Sequence, residues 1–218
     1  MESRAYHQHC GLARALDRVG ERWTLLIVRD LLLGPRRYTQ LLEGLLGITT
    51  NLLAKRLRSL EECGVIEKSG RGPATRYSLS EMGAALEPAV MELARWGGRF
   101  MPERVPEDRL DLGWALLSLK RRYLGGEHLR ASIEIQGGRR FELVLDPDRL
   151  IVSEREVTAP DLRLRGETSD FFGLLFGGDT PGLTVEERRE GVFAGFCRAF
   201  GLELTSPADA TVREKNVR

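Results

Sequence analysis

The chain has 218 residues, 33 of them basic and 32 acidic, with a formal net charge of +1. That length fits one large domain or two of about 100 residues each. With 42% hydrophobic and 30% charged residues, the composition is typical of a globular chain and excludes a disordered one. No apolar run approaches the roughly 18 residues of a membrane span, which excludes an integral membrane protein. The first residues lack the pattern of an export signal, so we expect a cytoplasmic protein.

The cysteines and histidines exclude several kinds of site. Cys10, Cys63 and Cys197 are odd in number and widely spaced, which excludes a disulfide framework and a cysteine-rich zinc module. Cys63 and Cys197 lie on apolar faces, where cysteine usually fills a core. No Ser–His–acid or phosphate-loop pattern is present, and His128 is the only histidine beyond the N-terminal pair. We therefore expect no catalytic residues, no cofactor and no enzymatic activity.

The charge is divided unevenly along the chain. Residues 1–100 carry a net charge of +4 and the remainder carries −3, while seven of the eight phenylalanines lie beyond residue 100. Glycines and prolines between residues 97 and 106 would interrupt any helix. We therefore predict two domains, residues 1–106 and 107–218.

Apolar spacing predicts three helices at the start of the first domain, over residues 12–19, 22–33 and 38–45. The second of them is apolar on nearly all sides, which is typical of a helix at the centre of a domain. Gly20 and Gly34 end the first two helices, and Gly47 supplies the turn after the third.

A fourth helix follows, with Thr49 as its predicted N-cap. Leu53, Leu57 and Leu60 fall on one side of it. The other side carries Thr50, Asn51, Ala54, Lys55 and Arg58, with Arg56 at the flank. A helix that enters the major groove needs small or hydrogen-bonding residues near its N-terminus and cations further along. An ordinary amphipathic helix with a solvated basic face has the same pattern, so the segment that follows decides between the two.

That segment predicts a wing, because residues 65–69 and 75–79 form two short strands around a glycine-rich turn. The tip of such a hairpin places cations against the DNA backbone or in the minor groove. Between Arg36 and Tyr77 there are eight basic residues and four acidic ones. The pattern predicts a basic winged helix-turn-helix that binds double-stranded DNA. The candidate contacts are Arg36, Arg37, Thr49, Thr50, Asn51, Lys55, Arg56, Arg58, Arg71 and Arg76.

A long amphipathic helix is predicted over residues 80–97, with Ser80 as its N-cap. A winged-helix core is complete without this helix. The apolar stripe of the helix therefore needs another surface to pack against. That surface is either the helix's own domain or a second copy of the chain. We predict a homodimer through the first helix and this one, which suits a two-fold symmetric operator.

Several segments of the first domain resemble the HxlR-type winged-helix regulators. They are residues 10–17, 20–27, 29–34, 37–41, 55–61, 64–67 and 77–80, within a region of about residues 7–98. The resemblance implies a dimeric bacterial transcription factor paired through the first and last helices of the domain. It also implies that Thr50, Asn51, Lys55 and Arg58 face the groove, and that Arg71 and Arg76 hold the wing.

Cys10 occupies the place where some members of that family sense electrophiles or oxidants. A thiolate near a helix N-terminus is stabilised by the helix dipole and becomes more reactive. The family usually has proline after this cysteine, whereas here the residue is Gly11. The alternative is a structural thiol. His7 and His9 could join Cys10 around a metal, but a tetrahedral site needs a fourth ligand from elsewhere, so we expect no metal.

The second domain is predicted to be α+β with a mostly antiparallel sheet. A helix over 110–123 precedes strands over 131–136, 140–145, 150–154 and 161–166, and helices over 170–176 and near 193–200 follow. Residues 159–164 and the helix over 170–176 with its Gly-Gly end resemble the sterol-carrier-protein-like fold. That resemblance implies a pocket between sheet and helices for a fatty or other hydrophobic molecule.

Six phenylalanines are candidate pocket residues, since ligand pockets are mostly apolar. They are Phe141, Phe171, Phe172, Phe176, Phe196 and Phe200. The alternative is that these rings are simply the core of the domain. The two domains together predict a dimeric DNA-binding transcriptional regulator whose second domain either binds a hydrophobic effector or only assists assembly. The alternative is a lipid- or acyl-binding carrier whose winged helix serves protein interaction.

Overall fold

The computed structural model divides into two units, Met1–Met101 and Pro102–Arg218. It describes residues 5–103, 105, 108–177 and 182–202, and the backbone alone of 211–214. In these parts of the chain, no helix is long and apolar enough to cross a membrane.

The first unit is helical with a two-stranded hairpin. In chain order its elements are α1 (Gly11–Val19), α2 (Thr24–Leu31), α3 (Tyr38–Gly44), α4 (Thr50–Glu62), β1 (Ile66–Ser69), β2 (Arg76–Leu79), α5 (Glu81–Ala84) and α6 (Glu87–Gly98). The central position predicted for α2 agrees with the full burial of Ile27 and Val28. The α4 leucines pack into the same core, so α4 is fixed against α2 by its apolar side.

α2 begins two residues later than the sequence predicts. Trp23 has a φ of +79°, in the left-handed region that side-chain-bearing residues rarely adopt. Its ring lies over the turn between α3 and α4, where a Cβ on Gly47 would be 3.8 Å from Trp23 Cη2. The turn between α1 and α2 therefore reaches the turn that leads into α4.

The prediction of a single helix over residues 80–97 is wrong, because the chain forms two helices, α5 and α6, with a break between them. Ser80 caps α5 as predicted, since its Oγ accepts a hydrogen bond from the Gly83 N–H at 3.0 Å. Pro88 lies in the first turn of α6 and has no N–H to donate back to α5. The α5–α6 boundary therefore falls where a continuous helix would lose a backbone hydrogen bond.

The second unit, over the residues that the structure describes, combines a six-stranded sheet with three α-helices and a π-helix at Gly173–Gly177. Its elements are α7 (Leu112–Leu119), β3 (Leu129–Ile135), β4 (Arg140–Asp146), β5 (Arg149–Ser153), β6 (Leu162–Gly166), α8 (Thr168–Phe172), β7 (Thr184–Glu187), α9 (Val192–Ala199) and β8 (Thr211–Glu214). The strand order is β5-β4-β3-β6-β7-β8. The β3–β6 and β7–β8 pairs are parallel and the other three pairs are antiparallel. The mixed α+β class is as predicted, whereas β7 and β8 were not predicted.

The two faces of this sheet differ in character. Phe141, Leu143 and Leu145 alternate along β4 and are fully buried, as period-two spacing predicts. Glu142 points to the opposite face and is also buried, because Arg130 and Arg155 pair with its two carboxylate oxygens. The side chains of Arg130 and Arg155 therefore cover this part of the polar face.

Candidate nucleic-acid interface

α4 carries the predicted basic surface. Thr49 caps the helix, with its Oγ1 accepting a hydrogen bond from the Leu52 N–H at 3.4 Å. Leu53, Leu57 and Leu60 are at most 2% exposed and hold one side of the helix against the core. The opposite side leaves the following residues exposed: Thr50, Asn51, Ala54, Lys55 and Arg58. Donors, small side chains and cations thus lie together on one open surface, as a groove-binding helix requires.

Arg56 does not belong to that surface. Its side chain is only 13% exposed, and its Nη2 lies 2.5 Å from Oε2 of Glu21 in the turn between α1 and α2. Arg56 therefore ties α4 to that turn. The helical period places Arg56 at the flank of the basic side. It does not indicate an ion-pair partner that lies 35 residues away in the sequence.

Tyr38, the first residue of the predicted third helix, is a functional candidate that apolar spacing does not single out. Its hydroxyl donates a hydrogen bond to the Thr50 carbonyl oxygen at 2.7 Å. This bond joins the start of α3 to the first turn of α4, where the candidate base-contacting residues lie. The neighbouring Arg37 is exposed, and its backbone N–H donates to Gln40 Oε1 at 2.8 Å.

The wing is attached to the helical core through Arg36. Arg36 and Tyr77 exchange two backbone hydrogen bonds of 2.9 and 2.8 Å, so residue 36 pairs with β2 through an isolated bridge. The Arg36 side chain is half-buried, with its Nε 3.5 Å from the Asp30 carbonyl oxygen. Arg36 is therefore turned into the unit, in contrast to the exposed Arg37.

The wing tip is a tight glycine turn. Gly70 and Gly72 have φ values of +78° and +55°. A Cβ on Gly70 would lie 2.6 Å from the Ala74 carbonyl oxygen, so the turn needs glycine at that position. Arg71 at the tip and Arg76 on β2 are both exposed, as predicted for wing cations.

The candidate sensor Cys10 lies at the N-cap of α1 and is exposed. The backbone N–H groups of Ala13 and Leu12 lower the pKa of this thiol below its usual value. Burial, by contrast, raises the pKa of Cys197 to about 12. Cys63 is half-buried, and its thiol contacts the Leu60 carbonyl oxygen at 3.5 Å. Of the three thiols, Cys10 therefore has the environment of a reactive one.

Exposed apolar side chains remain on the two helices predicted to dimerise. On α1, Leu12 is 69% and Leu16 is 39% exposed, and on α6, Leu93 is 51% and Trp96 is 64% exposed. The rings of Trp96 and Phe100 pack against each other in a tilted arrangement, with centroids 5.3 Å apart. Large apolar side chains concentrated in this way are typical of an interaction surface.

The candidate pocket phenylalanines separate into two groups in the second unit. Phe141, Phe171, Phe196 and Phe200 are at most 1% exposed and belong to the core. Phe172 is half-buried and Phe176 is 59% exposed, with their rings 5.7 Å apart. A cleft of about 830 Å³ opens beside the ends of β3 and β6, but it is lined mainly by polar and glycine residues and by none of the six rings.

A helix-turn-helix with a basic α4 and a two-stranded wing defines the first unit as a winged helix-turn-helix. A model of the HxlR-like helix-turn-helix family matches residues 18–105. An HTH-type transcriptional regulator of Mycobacterium tuberculosis is 42% identical over 94 residues, which cover 42% of this chain and 59% of that protein. The HTH-type transcriptional regulator YodB of Bacillus subtilis is 33% identical over 90 residues, covering 39% of this chain and 80% of YodB. The chain belongs to the HxlR-like helix-turn-helix family.

Solved structures are similar to the same part of the chain. Quinone-bound YodB from B. subtilis is 31% identical, covering 41% of this chain and 97% of that chain with a TM-score of 0.37. The redox regulator HypR in its reduced form is 27% identical, covering 41% of this chain and 92% of that chain with a TM-score of 0.39. The sterol-carrier-like identity of the second unit stays a prediction.

Proposed function

We propose that the protein is a dimeric transcriptional regulator that binds a palindromic DNA operator and acts by binding rather than catalysis. The observation that carries the proposal is the open side of α4, where Thr50, Asn51, Lys55 and Arg58 are exposed together beside the wing. Thr50 and Asn51, in the first turn, are short enough to approach base edges. Lys55 and Arg58, further along, supply cations for phosphates, and Arg71 extends the basic surface to the wing.

The test is DNA binding by a variant that lacks three of these cations. Fragments selected from the host genome with the native chain serve as the probe. The triple variant Lys55→Ala, Arg58→Ala, Arg71→Ala is expected to lose most affinity and to show a weaker dependence on salt, since each phosphate contact releases counterions. The matched control removes three exposed arginines of the second unit, Arg121, Arg149 and Arg189. Equal affinities for native and triple variant at physiological salt would reject the proposal.

Dimerisation is proposed through α1 and α6. Leu93 and Trp96 support this, because both are more than half exposed on one helix of the unit that carries the DNA surface. Leu93→Glu would place a charge in the interface and shift the protein toward monomer in sedimentation analysis. Glu92→Gln, at an exposed neighbouring position, is the control. A native chain that sediments as a monomer would contradict the dimer.

A second proposed role is thiol sensing by Cys10. Its exposure and the lowered pKa of its thiol support this role. Treatment of the native protein with an electrophile or oxidant is expected to release bound DNA, and Cys10→Ser is expected to keep DNA bound. If both proteins respond alike, the thiol is structural.

The proposed effector of the second unit is a hydrophobic molecule, and the exposed Phe176 beside Phe172 is the surface that supports it. Native mass spectrometry of protein purified from its source tests for such a molecule. The rival proposal is a lipid or acyl carrier whose winged helix binds protein. A carrier would retain the lipid and show no affinity for any genomic fragment, whereas a regulator would bind DNA whether or not a lipid is present.

A further inference from the structure

A cleft of about 430 Å³ opens between the start of α3 and the wing. The described residues that line it are Arg37, Tyr38, Thr39, Lys68, Gly72, Pro73, Thr75 and Tyr77. Two of these eight are cations and four carry hydroxyl groups, while none is acidic. A lining of cations and hydroxyl donors without a carboxylate favours an anion with several acceptor oxygens.

The backbone pairing brings the segments that carry the two cations close together. Lys68 lies opposite Tyr77 in the wing, and Tyr77 pairs on its other side with Arg36. Lys68 and the residue before Arg37 are thus two strand spacings apart, about 10 Å between backbones. Two long side chains can close such a distance around one small anion, and both Arg37 and Lys68 are exposed.

Tyr38 connects the cleft to the start of α4. Tyr38 lines the cleft and donates its hydroxyl hydrogen bond to the Thr50 carbonyl oxygen at 2.7 Å. A phosphate in the cleft would therefore lie beside the helix turn that carries Thr50 and Asn51. This adjacency favours a phosphate of the DNA strand that α4 approaches over an unrelated small anion.

We propose that the cleft between α3 and the wing binds one backbone phosphate of DNA, with Lys68 and Arg37 as its cations and Thr39 and Thr75 as hydroxyl donors. The inference rests on the proposed DNA-binding function and adds Lys68, Thr39 and Thr75 to the contacts. Since a phosphate carries no base identity, the cleft contributes affinity and register but no sequence preference.

The experiment measures binding of the full chain to a selected genomic duplex and to a shuffled duplex of equal length. Lys68→Gln with Arg37→Gln is expected to weaken both complexes by the same factor, roughly tenfold. The slope of log affinity against log salt is expected to fall by about 0.9 for each phosphate that the variant no longer neutralises. Arg149→Gln, an exposed arginine of the second unit, is the matched control and should leave both unchanged.

A methylphosphonate scan of the duplex locates the contact. One neutralised phosphate in each half-site is expected to weaken native binding and to have no further effect on the Lys68→Gln, Arg37→Gln protein.

If the native chain binds DNA but the double variant keeps its affinity and slope, the cleft assignment fails and the DNA-binding function stands. If the native chain binds no duplex, the function itself fails. If millimolar inorganic phosphate binds the native chain but not the double variant, and the two proteins bind DNA equally well, the cleft is a small-anion site and the assignment is overturned.

Discussion

Arg56 of α4 and Glu21 of the turn before α2 form an ion pair in which the arginine is 13% exposed and the glutamate 62%. The pair crosses from the helix proposed to enter the groove to the turn that follows α1. Trp23, in its left-handed conformation, brings the same turn over the α3–α4 connection. The structure thus fixes the orientation of α4 at two points besides its buried leucines.

Arg56→Ala is expected to act on the orientation of α4 and not on phosphate contacts. We expect a loss of about 1–2 kcal/mol in the free energy of unfolding, reduced from the value of a buried pair because Glu21 is largely exposed. DNA affinity should fall while the salt slope stays unchanged, and urea titration with binding at several salt concentrations measures both. Lys55→Ala, at an exposed neighbouring position, should instead lower the slope and leave stability unchanged. A lower slope for Arg56→Ala would show that Arg56 contacts phosphate after all.

Thr49 and Thr50 are adjacent threonines with separable roles. Thr49→Ala removes the side chain that caps α4 and should lower the free energy of unfolding by about 1 kcal/mol. Thr50→Ala leaves the cap intact and should weaken DNA binding with little change in stability. Urea unfolding and binding assays on the two variants test this division, and equal destabilisation by both would contradict it.

Gly83 in α5 has no room for a side chain. A Cβ there would lie 2.0 Å from the Val65 carbonyl oxygen, so α5 or the start of the wing would have to move. Gly83→Ala is expected to cost about 3 kcal/mol of stability. Gly97 in α6 has nothing within 4 Å of such a Cβ, so Gly97→Ala should be neutral or stabilise by about 0.5–1 kcal/mol. Thermal unfolding measures the stability of both variants. Similar melting temperatures would mean that α5 does not pack against Val65 as closely as the structure shows.

Cys10 and Cys197 should differ in reactivity toward iodoacetamide in the folded protein. The thiolate is the reacting form, and backbone N–H groups lower the pKa of Cys10. The rate of Cys10 alkylation should therefore reach half its maximum at a lower pH than the same peptide shows in the unfolded protein, where the backbone N–H groups of α1 are no longer in place. Cys197, with its pKa raised to about 12 by burial, should stay unlabelled until the protein unfolds. Mass spectrometry of labelled peptides at a series of pH values measures both, and a midpoint for Cys10 as high as in the unfolded protein, or higher, would contradict the expectation.

The sequence by itself determined the elements whose cause is local. Leucine spacing specifies the buried side of α4, and the caps at Thr49 and Ser80 are formed by hydroxyls meeting nearby N–H groups. The glycine-rich wing turn and the exposed cations of α4 follow from residue type and period, and so does the alternation along β4. These features need neighbours only a few residues away, which a sequence shows directly.

The tertiary structure alone decided the relations between distant segments. The Arg56–Glu21 pair, the bond from Tyr38 to Thr50 and the pairing of Arg36 with Tyr77 join residues that local periodicity cannot connect. The burial of Glu142 beneath two arginines and the strands β7 and β8 depend on sheet partners in the same way. Packing therefore decides that Arg56 and Arg36 are drawn inward, whereas Lys55 and Arg58 keep the exposure that the helical period predicts.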